Sequence, residues 1–336
     1  MRIKIDGKYE ERRALWYEKG KVRMIDQRIL PHQVKVLDLT TVEQMAEAIK
    51  DMTVRGAPAI GAAAAYGMLL AKQQGADIAG SAKLLKSTRP TAHDLFFAVD
   101  HMVKALEEGR EPVAAAEGYV ESIVEKCRLI GVHGEPLIKQ DARVMTHCNA
   151  GALATVDHGT ALAPMRAAWN KGKGFFVYVS ETRPRLQGMK LTAFELLNEG
   201  IPHAIIPDGA SGHFLRLGVD VVIVGADRIA ANGDFANKIG TYEKAVLAKE
   251  LGVPFYTAAP ISTFDFSIES GEDIPIERRA ETEVTMIDDV RIAPEGCQAL
   301  NPSFDVTPHK YLAGIITEIG ILKPEDIRKV KEAKIS

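Results

Sequence analysis

A carboxyl group and a thiol stand at the ends of two apolar runs in the second half of the sequence. Asp227 follows the run 221–224, and Cys148 follows the run 143–147. Burial can hold a proton on such a carboxyl near neutral pH, which would let it act as a general acid. The thiol could act as a base, and a helix expected after it would favour the thiolate. An ion pair between Asp227 and Arg228, and a buried inert cysteine, are the structural alternatives.

Two segments could hold a phosphate group. Arg55, Gly56 and Ala57 come directly before an apolar helix, whose free N–H groups and dipole favour an anion. Asn237 and Lys238 stand at a second expected helix start, and lysine is a common phosphate ligand. The alternative for the glycine is close helix packing without a ligand. The two segments together predict a site for a small anion.

Two further polar residues could complete such a site. Arg89 precedes another expected helix, and Gln187 lies in a loop after an expected strand, from which its amide could reach sugar hydroxyls. A surface position is the alternative for Arg89. We expect no metal, because the nine histidines show no HxxxH spacing, and no dinucleotide or ATP site, because neither GxGxxG nor GxxxxGK occurs after a strand.

Helical spacing governs the first part of the chain. From residue 41 to about 139 the apolar residues recur at helical intervals, and one or two short strands are expected before them, near residues 14–28. The most apolar stretch, residues 57–71, is shorter than the roughly 18 residues of a membrane span and predicts a buried helix. A mostly helical N-terminal domain over residues 1–139 is therefore expected.

Five short apolar runs, separated by helix-length segments, follow residue 143. This spacing indicates βαβ units, because parallel strands need connections of about a dozen residues or more. We expect an α/β protein in which residues 140–336 form a Rossmann-like, doubly wound parallel sheet. Ligands bind outside the carboxyl ends of such strands, so the polar residues after the runs should meet at one edge. The runs are RVMTH, FFVYV, HAIIP, VVIVG and PFYTAA.

Composition excludes several classes of protein. With 336 residues the chain is long enough for two domains. Its 42 Lys and Arg against 45 Asp and Glu give a net charge of -3, without the basic patch typical of nucleic-acid binding. No secretory signal is visible, and three widely spaced cysteines form no CxxC pair. We expect a cytoplasmic protein with neither a nucleic-acid nor a membrane partner.

Seven strings in the sequence are specific enough to indicate a family. They are VRGAPAIGAAAAYGM, STRPTAHDLFFAV, THCNAGALATVDHGTAL, ETRPRLQGMKLTAFEL, VGADRIAANGDFANKIGTY, PFYTAAPISTFD and RIAPEGCQALNPSFDVTP. Together they resemble the methylthioribose-1-phosphate isomerase family, over about residues 27–322. The wider superfamily includes ribose-1,5-bisphosphate isomerases and the regulatory alpha, beta and delta subunits of translation initiation factor 2B.

The resemblance implies an aldose–ketose isomerase that converts 5-methylthioribose 1-phosphate into 5-methylthioribulose 1-phosphate, in methionine salvage. It implies Asp227 as the proton donor and Cys148 as the partner of the transition state. It also implies a homodimer that needs no metal or organic cofactor. Substrate contacts are implied at Arg55, Gly56, Ala57, Arg89, Gln187, Asn237 and Lys238.

Two positions depart from the family pattern. Ser180 stands where Asp commonly precedes Glu-Thr-Arg-Pro, and residues 208–213 replace a more usual Asp-Asn motif. Both departures leave the reaction type unchanged but open the identity of the 5-substituent, so 5-deoxyribose 1-phosphate is a second candidate substrate. Less favoured are a ribose-1,5-bisphosphate isomerase, which would need further basic residues, and a non-catalytic regulatory protein similar to initiation factor 2B.

Overall fold

The computed structural model of the chain describes residues 1–5, 7–89, 93–327 and 330. Within them, short strands and five helices precede a part built on a seven-stranded, mostly parallel sheet. The expected α/β class is therefore confirmed. In the same residues no helix is both long and apolar enough to cross a membrane.

Five short strands form the beginning of the chain, where the sequence predicted one or two. They are β1 (Arg2–Ile5), β2 (Lys8–Glu11), β3 (Leu15–Glu18), β4 (Lys21–Ile25) and β5 (Val36–Leu39). β1 pairs with β2, and β4 lies between β3 and β5 in a separate antiparallel sheet. Each of these strands is short, and charged residues occupy many of its exposed positions. The alternation of apolar and polar residues is therefore too brief to predict a strand.

Five helices fill residues 42–134, as the helical spacing predicts. They are α1 (Val42–Lys50), α2 (Ala57–Gln74), α3 (Ile78–Thr88), α4 (His93–Glu107) and α5 (Pro112–Gly134). All residues of α2 from 59 to 71 are buried, so this helix, apolar on every side, forms the centre of the helical part. The predicted buried helix is thereby confirmed. α1 begins with a capping box between Thr41 and Gln44.

Thirteen strands and six helices make up the rest of the described chain. The strands are β6 (Ala142–Thr146), β7 (Phe175–Ser180), β8 (His203–Ile206), β9 (Val221–Gly225), β10 (Arg228–Ala230), β11 (Phe235–Lys238), β12 (Phe255–Ala258), β13 (Phe264–Asp265), β14 (Met286–Ile287), β15 (Val290–Arg291), β16 (Phe304–Thr307), β17 (Gly314–Thr317) and β18 (Gly320–Leu322). The helices are α6 (Ala152–Thr155), α7 (Leu162–Asn170), α8 (Ala193–Glu199), α9 (Ser211–Arg216), α10 (Thr241–Glu250) and α11 (Thr282–Thr285).

The central sheet has the spatial order β18-β17-β12-β9-β6-β7-β8. Counted from β6, this is the Rossmann order 3-2-1-4-5-6, with the antiparallel β18 added at one edge. The five runs predicted from the sequence are β6 to β9 and β12. The two faces bury separate clusters: Val221 and Ile223 pack with α5 and α7, whereas Val222 and Val224 pack with α9 and α10. Helices therefore cover both faces.

α5 links the helical part to the sheet. Val120 and Cys127 in its earlier turns belong to the core around α2, whereas Ile130 near its end belongs to the core beneath the central sheet. The boundary proposed after residue 139 would thus follow a helix that both cores share. The division into two domains stays a prediction.

A second, four-stranded sheet lies next to the carboxyl end of β9. Its order is β13-β10-β11-β16, and β10 begins three residues after β9 ends. Residues 266–303, which connect β13 to β16, are mostly irregular and carry α11, β14 and β15. We call this connection the 266–303 segment. The small sheet and the segment complete the walls of the site described next.

Candidate active site

One cavity, of about 100 Å³, collects all nine residues predicted for the site. It is lined by the start of α2 and by residues at the carboxyl ends of β6 and β9, so both parts of the chain form its walls. The walls also include Met52, Arg279 and Phe304, which the sequence analysis did not select. The nine residues are Arg55, Gly56, Ala57, Arg89, Cys148, Gln187, Asp227, Asn237 and Lys238.

Gly56 brings the start of α2 against the sheet part of the chain. Its φ is +94°, and a Cβ at this position would lie 2.5 Å from the carbonyl oxygen of Ala154. Only glycine fits both the left-handed backbone and this close approach. No side chain caps the helix that begins at Ala57, so the N–H groups of its first turn are available to an anion.

Arg55 crosses from the helical part to the loop after β6. Its Nη1 donates to Asn149 Oδ1 at 3.0 Å, and its Nη2 donates to the Asn149 carbonyl oxygen at 2.6 Å. Asn149 in turn donates to Glu195 Oε1 at 2.8 Å, and Glu195 also accepts from the backbone N–H of Ala152 at 2.7 Å. Sequence reasoning missed Glu195. This chain of bonds fixes the guanidinium at the cavity wall.

Cys148 has an unusual backbone conformation. Its φ of +64° lies in the left-handed region, which is rare for a residue with a side chain. Its N–H donates to Thr182 Oγ1 at 2.8 Å, and its carbonyl oxygen accepts from Thr192 Oγ1 at 2.6 Å. Non-glycine residues in this region concentrate at functional sites, where the surrounding structure holds them in place.

The surroundings of Cys148 disfavour its thiolate form. Burial raises its pKa, and the charges of Arg55 and Lys238 offset this only in part. The expectation that a following helix N-terminus would favour the thiolate was therefore wrong. α6 begins only at Ala152 and has four residues, so desolvation of the thiolate dominates.

Asp227 faces the same cavity from the end of β9. Burial raises its pKa, while Lys238, Arg55 and Arg89 lower it in part. Arg228 forms an ion pair with Asp265 instead, with Nη1 3.5 Å from Oδ2. The carboxyl of Asp227 thus has the environment of a proton donor.

Asn237 and Lys238 lie at the end of β11, whereas the sequence predicted them at a helix start. The helix α10 begins only at Thr241, whose Oγ1 accepts from Asn237 Nδ2 at 2.9 Å. Lys238 Nζ donates to the Ser303 carbonyl oxygen at 2.7 Å and lies 4.8 Å from the centre of the Phe304 ring. Burial lowers the pKa of Lys238. An anion in the cavity would stabilise its charge.

Gln187 and Arg89 reach the cavity from opposite parts of the chain. Gln187 is 8% exposed, and within the described chain its Oε1 is buried without a hydrogen-bond partner. Buried acceptors without partners are rare in folded proteins, and a sugar hydroxyl would satisfy this one. Arg89 Nη2 lies 3.6 Å from Glu277 Oε2, on the 266–303 segment.

The two places that depart from the family pattern, Ser180 and residues 208–213, are joined by a hydrogen bond between Ser180 and Asp208. The Ser180 hydroxyl donates to Asp208 Oδ1, which also accepts from the Thr182 N–H at 2.9 Å, while Asp208 Oδ2 accepts from the Arg183 N–H at 2.6 Å. Neither residue lines the cavity. They position the loop that carries Thr182, and Thr182 in turn accepts from the Cys148 N–H.

His147 is the last residue of the predicted run RVMTH, and nothing in the sequence indicated its role. Its Nε2 lies 2.8 Å from the Ile239 carbonyl oxygen, so this nitrogen carries the proton, and burial lowers the pKa of the imidazole. The neutral ring therefore joins the loop of Cys148 to the strand of Lys238. In the described residues no group of three or more His, Cys, Asp or Glu could hold a metal ion.

The arrangement fits acid–base chemistry on a phosphorylated ligand. A half-buried carboxyl and a half-buried thiol share one small cavity with three predicted cations and the open N-terminus of α2. These groups could bind a phosphate, protonate an oxygen and exchange a proton with carbon.

Comparison with known proteins agrees with this picture. The sequence model of the Initiation factor 2 subunit family matches residues 53–324. The structure of a protein named translation initiation factor eIF-2B, subunit delta, from A. fulgidus has a TM-score of 0.85 and 39% identity, covering 96% of this chain and 99% of that one. The fold and site thus define a member of the initiation factor 2 subunit family.

Closely similar relatives narrow the family assignment further. A methylthioribose-1-phosphate isomerase from Acetivibrio thermocellus is 49% identical, over 95% of this chain and 100% of the relative. One from Aquifex aeolicus is 51% identical, over 96% of this chain and 71% of the relative. The crystal structure of 5-methylthioribose 1-phosphate isomerase from Pyrococcus horikoshii OT3 has a TM-score of 0.90 and 44% identity, covering 97% of each chain. The chain belongs to the methylthioribose-1-phosphate isomerase family.

Proposed function

We propose that the chain is an aldose–ketose isomerase that converts 5-methylthioribose 1-phosphate into 5-methylthioribulose 1-phosphate. The observation that carries this proposal is the meeting of Asp227 and Cys148 in one cavity with the cations Arg55, Arg89 and Lys238. The cations are suited to binding a phosphate, and the half-buried carboxyl and thiol are suited to proton transfer. The choice of 5-methylthioribose 1-phosphate as the substrate follows from the names of the relatives.

Asp227 supplies the proton that opens the sugar ring. An ordinary aldose opens by losing the proton of its anomeric hydroxyl, but in a sugar 1-phosphate that oxygen carries the phosphate. The ring oxygen must be protonated instead, which demands an acid. The raised pKa of Asp227 keeps it protonated to a higher pH than an ordinary aspartate, so it can serve this step.

A hydrogen must then move from C2 to C1. In one route Cys148 first gives up its thiol proton to solvent, and the thiolate then removes the C2 proton to give an enol phosphate. A proton is added at C1 while the enol hydroxyl at C2 loses its proton, which gives the ketose. In the other route the hydrogen passes from C2 to C1 as a hydride. Deuterium from D2O enters at C1 only in the first route, so mass spectrometry of the product distinguishes the two.

Three cations and the start of α2 form the proposed phosphate clamp. The phosphate dianion loses water on entering the cavity, and charge-assisted hydrogen bonds from Arg55, Arg89 and Lys238 replace that hydration. Gln187 would hydrogen-bond a sugar hydroxyl through the oxygen that lacks a partner.

Two finer properties rest on the family resemblance. We propose a cytoplasmic homodimer that works without metal or organic cofactor. Sedimentation velocity of the purified chain tests the dimer, and activity after dialysis against EDTA tests the metal. A monomer, or loss of activity that a divalent ion restores, would overturn the respective statement.

A regulatory protein that only senses a sugar phosphate is the second candidate. The 39% identity to a protein named as an eIF-2B subunit favours it. A sensor needs the cations but has no use for a protonated carboxyl and a thiol beside the ligand. The shared placement of Asp227 and Cys148 therefore favours the enzyme.

The deciding experiment offers the purified chain three substrates: 5-methylthioribose 1-phosphate, 5-deoxyribose 1-phosphate and ribose 1,5-bisphosphate. We expect ketose formation from the first, with the largest kcat/KM, and loss of most activity in Asp227→Asn and Cys148→Ser with the fold intact. A larger kcat/KM for another sugar would identify that sugar as the preferred substrate. Binding of all three sugars without turnover would support the sensor.

A further inference from the structure

Arg279 is a fourth cation in the wall of the proposed active site. It lies on the 266–303 segment, and it lines the same cavity as Arg55, Arg89 and Lys238. Its side chain is 16% exposed. Asp227 is the one acidic residue among the described residues of this wall, and two further carboxylates pair with the cations from behind it: Glu277 with Arg89 and Glu283 with Arg279. Four cations along one wall repel one another, and an anion in the cavity would reduce that repulsion.

Glu283 holds the Arg279 side chain in one orientation. Arg279 Nε lies 3.0 Å from both carboxylate oxygens of Glu283, and Arg279 Nη2 donates to Oε1 at 2.8 Å. Glu283 is itself fixed by Arg185 at 2.9 Å and by Asn301 at 3.1 Å. A guanidinium held along one edge presents its remaining donors in a fixed direction.

One terminal nitrogen of Arg279 is uncommitted. Nη2 also lies 3.4 Å from the Met52 sulfur, but Nη1 makes no hydrogen bond to any residue in the described part of the chain. Arg89 and Lys238 are close enough for the charge of Arg279 to lower the pKa of each. Arg279 therefore stands beside the cations already assigned to phosphate binding, and not at a separate place.

We propose that Arg279 binds the phosphate group of the substrate through Nη1, and that Glu283 is a positioning residue that orients it. The inference rests on the proposed function, because it names a further contact to the same substrate. It also gives the 266–303 segment a role, because Arg279 of this segment lines the cavity and Glu277 lies 3.6 Å from Arg89.

The test compares Arg279→Gln with Arg279→Lys, Glu283→Gln and a matched control, Arg278→Gln. Arg278 is adjacent, exposed and outside the cavity, so its replacement removes the same charge without the contact. We expect Arg279→Gln to raise KM about 10- to 100-fold, as for one charge-assisted hydrogen bond, and to lower kcat by less than about threefold. Arg279→Lys should recover part of the loss, and Arg278→Gln should match the wild type.

The role of Glu283 is tested by measuring KM and kcat separately in Glu283→Gln, as in Arg279→Gln. Glu283→Gln should raise KM by less than Arg279→Gln and leave kcat near the wild-type value. In the double variant the second change should add little, because both act through one guanidinium. Additive effects would overturn the positioning role.

Inorganic phosphate provides a readout that does not need turnover. We expect it to raise the Tm of the wild type and of Arg278→Gln, with a much smaller rise in Arg279→Gln. If the wild type turns over no sugar but this pattern holds, the proposed function fails and the phosphate contact stands. The proposal would be overturned if Arg279→Gln kept both the wild-type KM and the wild-type rise of Tm with phosphate. It would also be overturned if Arg279→Gln raised KM only for ribose 1,5-bisphosphate, since Arg279 would then bind the 5-phosphate. If Arg279→Gln does not fold, Arg279→Lys must show the raised KM.

Discussion

At the scale of single residues, the cavity sets the pH range in which the acid can work. Burial raises the pKa of Asp227, and a proton donor must hold its proton when the substrate binds. The value of kcat/KM should therefore fall as the pH rises through this pKa, at a higher pH than an ordinary aspartate would give. Asp227→Asn should lower kcat by about 10²- to 10⁴-fold. A pH–rate profile of both proteins measures this.

Asp100→Asn is the control for this prediction. Asp100 lies on the exposed side of α4 and pairs with Lys86, away from the cavity. Its replacement should leave the profile unchanged. An Asp227→Asn enzyme with wild-type kcat, or a profile whose fall at high pH persists in that variant, would remove Asp227 from the mechanism.

The three thiols should differ in their reaction with iodoacetamide. Cys297 is exposed and should react first, so Cys148 is best followed in a Cys297→Ser background. Because burial raises the pKa of Cys148, its alkylation should be slow at pH 7 and accelerate as the pH rises. Inorganic phosphate should slow it further, by covering the thiol and by neutralising Arg55 and Lys238.

Cys127 serves as the internal reference in that experiment. It is buried in the helical part, and burial raises its pKa to about 12. Peptide mass spectrometry should find it unmodified under all conditions. Rapid alkylation of Cys148 at pH 6, unaffected by phosphate, would contradict both the protonated state and the location of the phosphate.

At the scale of the elements, the junction between α2 and α6 depends on one glycine. An alanine at position 56 would bring its Cβ to 2.5 Å from Ala154 O at a φ of +94°. Strain of this kind costs of order 1–3 kcal/mol, and moving α2 away would also displace Arg55. Gly56→Ala should therefore lower the free energy of unfolding by about 2–4 kcal/mol and raise KM at least tenfold.

Gly75 at the other end of the same helix gives the matched control. Its φ is +70°, but a Cβ added there would meet no atom of another part of the chain within 4 Å. Gly75→Ala should cost only about 1 kcal/mol and leave KM unchanged. Urea denaturation and steady-state kinetics measure both variants. Equal costs in the two, with KM unaffected, would show that the close approach at Gly56 has no role in the site.

The sequence predicts elements well where one local pattern decides them. β9 reads as a strand because residues 221–224 are all apolar, and the apolar length of α2 marks a buried helix. β11 could not be predicted, because its strand pairing depends on β16, with Asn237 opposite Asp305. Its last residue, Lys238, was therefore assigned to a helix start. The position of Lys238 in the site did not depend on that assignment.

The site residues, too, could be predicted where a local pattern marks them and could not be predicted elsewhere. Asp227 and Cys148 end apolar runs, so the strand-end rule predicts that they meet, and the family resemblance completed the set. Arg279 lies in an irregular segment where no periodicity indicates which side chains turn inward. The sequence does show Glu283 four residues after Arg279. This spacing indicates an ion pair only if a helical turn is known to join the two residues.

At the scale of the whole molecule, the cavity also joins the helical part to the sheet part. Arg55 donates to Asn149, and Gln27 Nε2 donates to the Leu153 carbonyl oxygen at 2.7 Å. α5 contributes to both apolar cores. A ligand that contacts both parts should stabilise them together, since binding to the folded state alone raises the free energy of unfolding of everything that unfolds with the site.

The two tryptophans allow this coupling to be measured. Trp16 lies on β3 and Trp169 on α7, so Trp169→Phe and Trp16→Phe leave one fluorescent probe in each part. We expect coincident urea transitions from both probes, because the shared helix makes unfolding cooperative. Inorganic phosphate at about 100 times its Kd should raise both stabilities by about 2.7 kcal/mol. Arg55→Gln should abolish most of that rise. A Trp16 transition at lower urea, unmoved by phosphate, would mean that the helical part unfolds independently of the sheet and is not stabilised by phosphate binding.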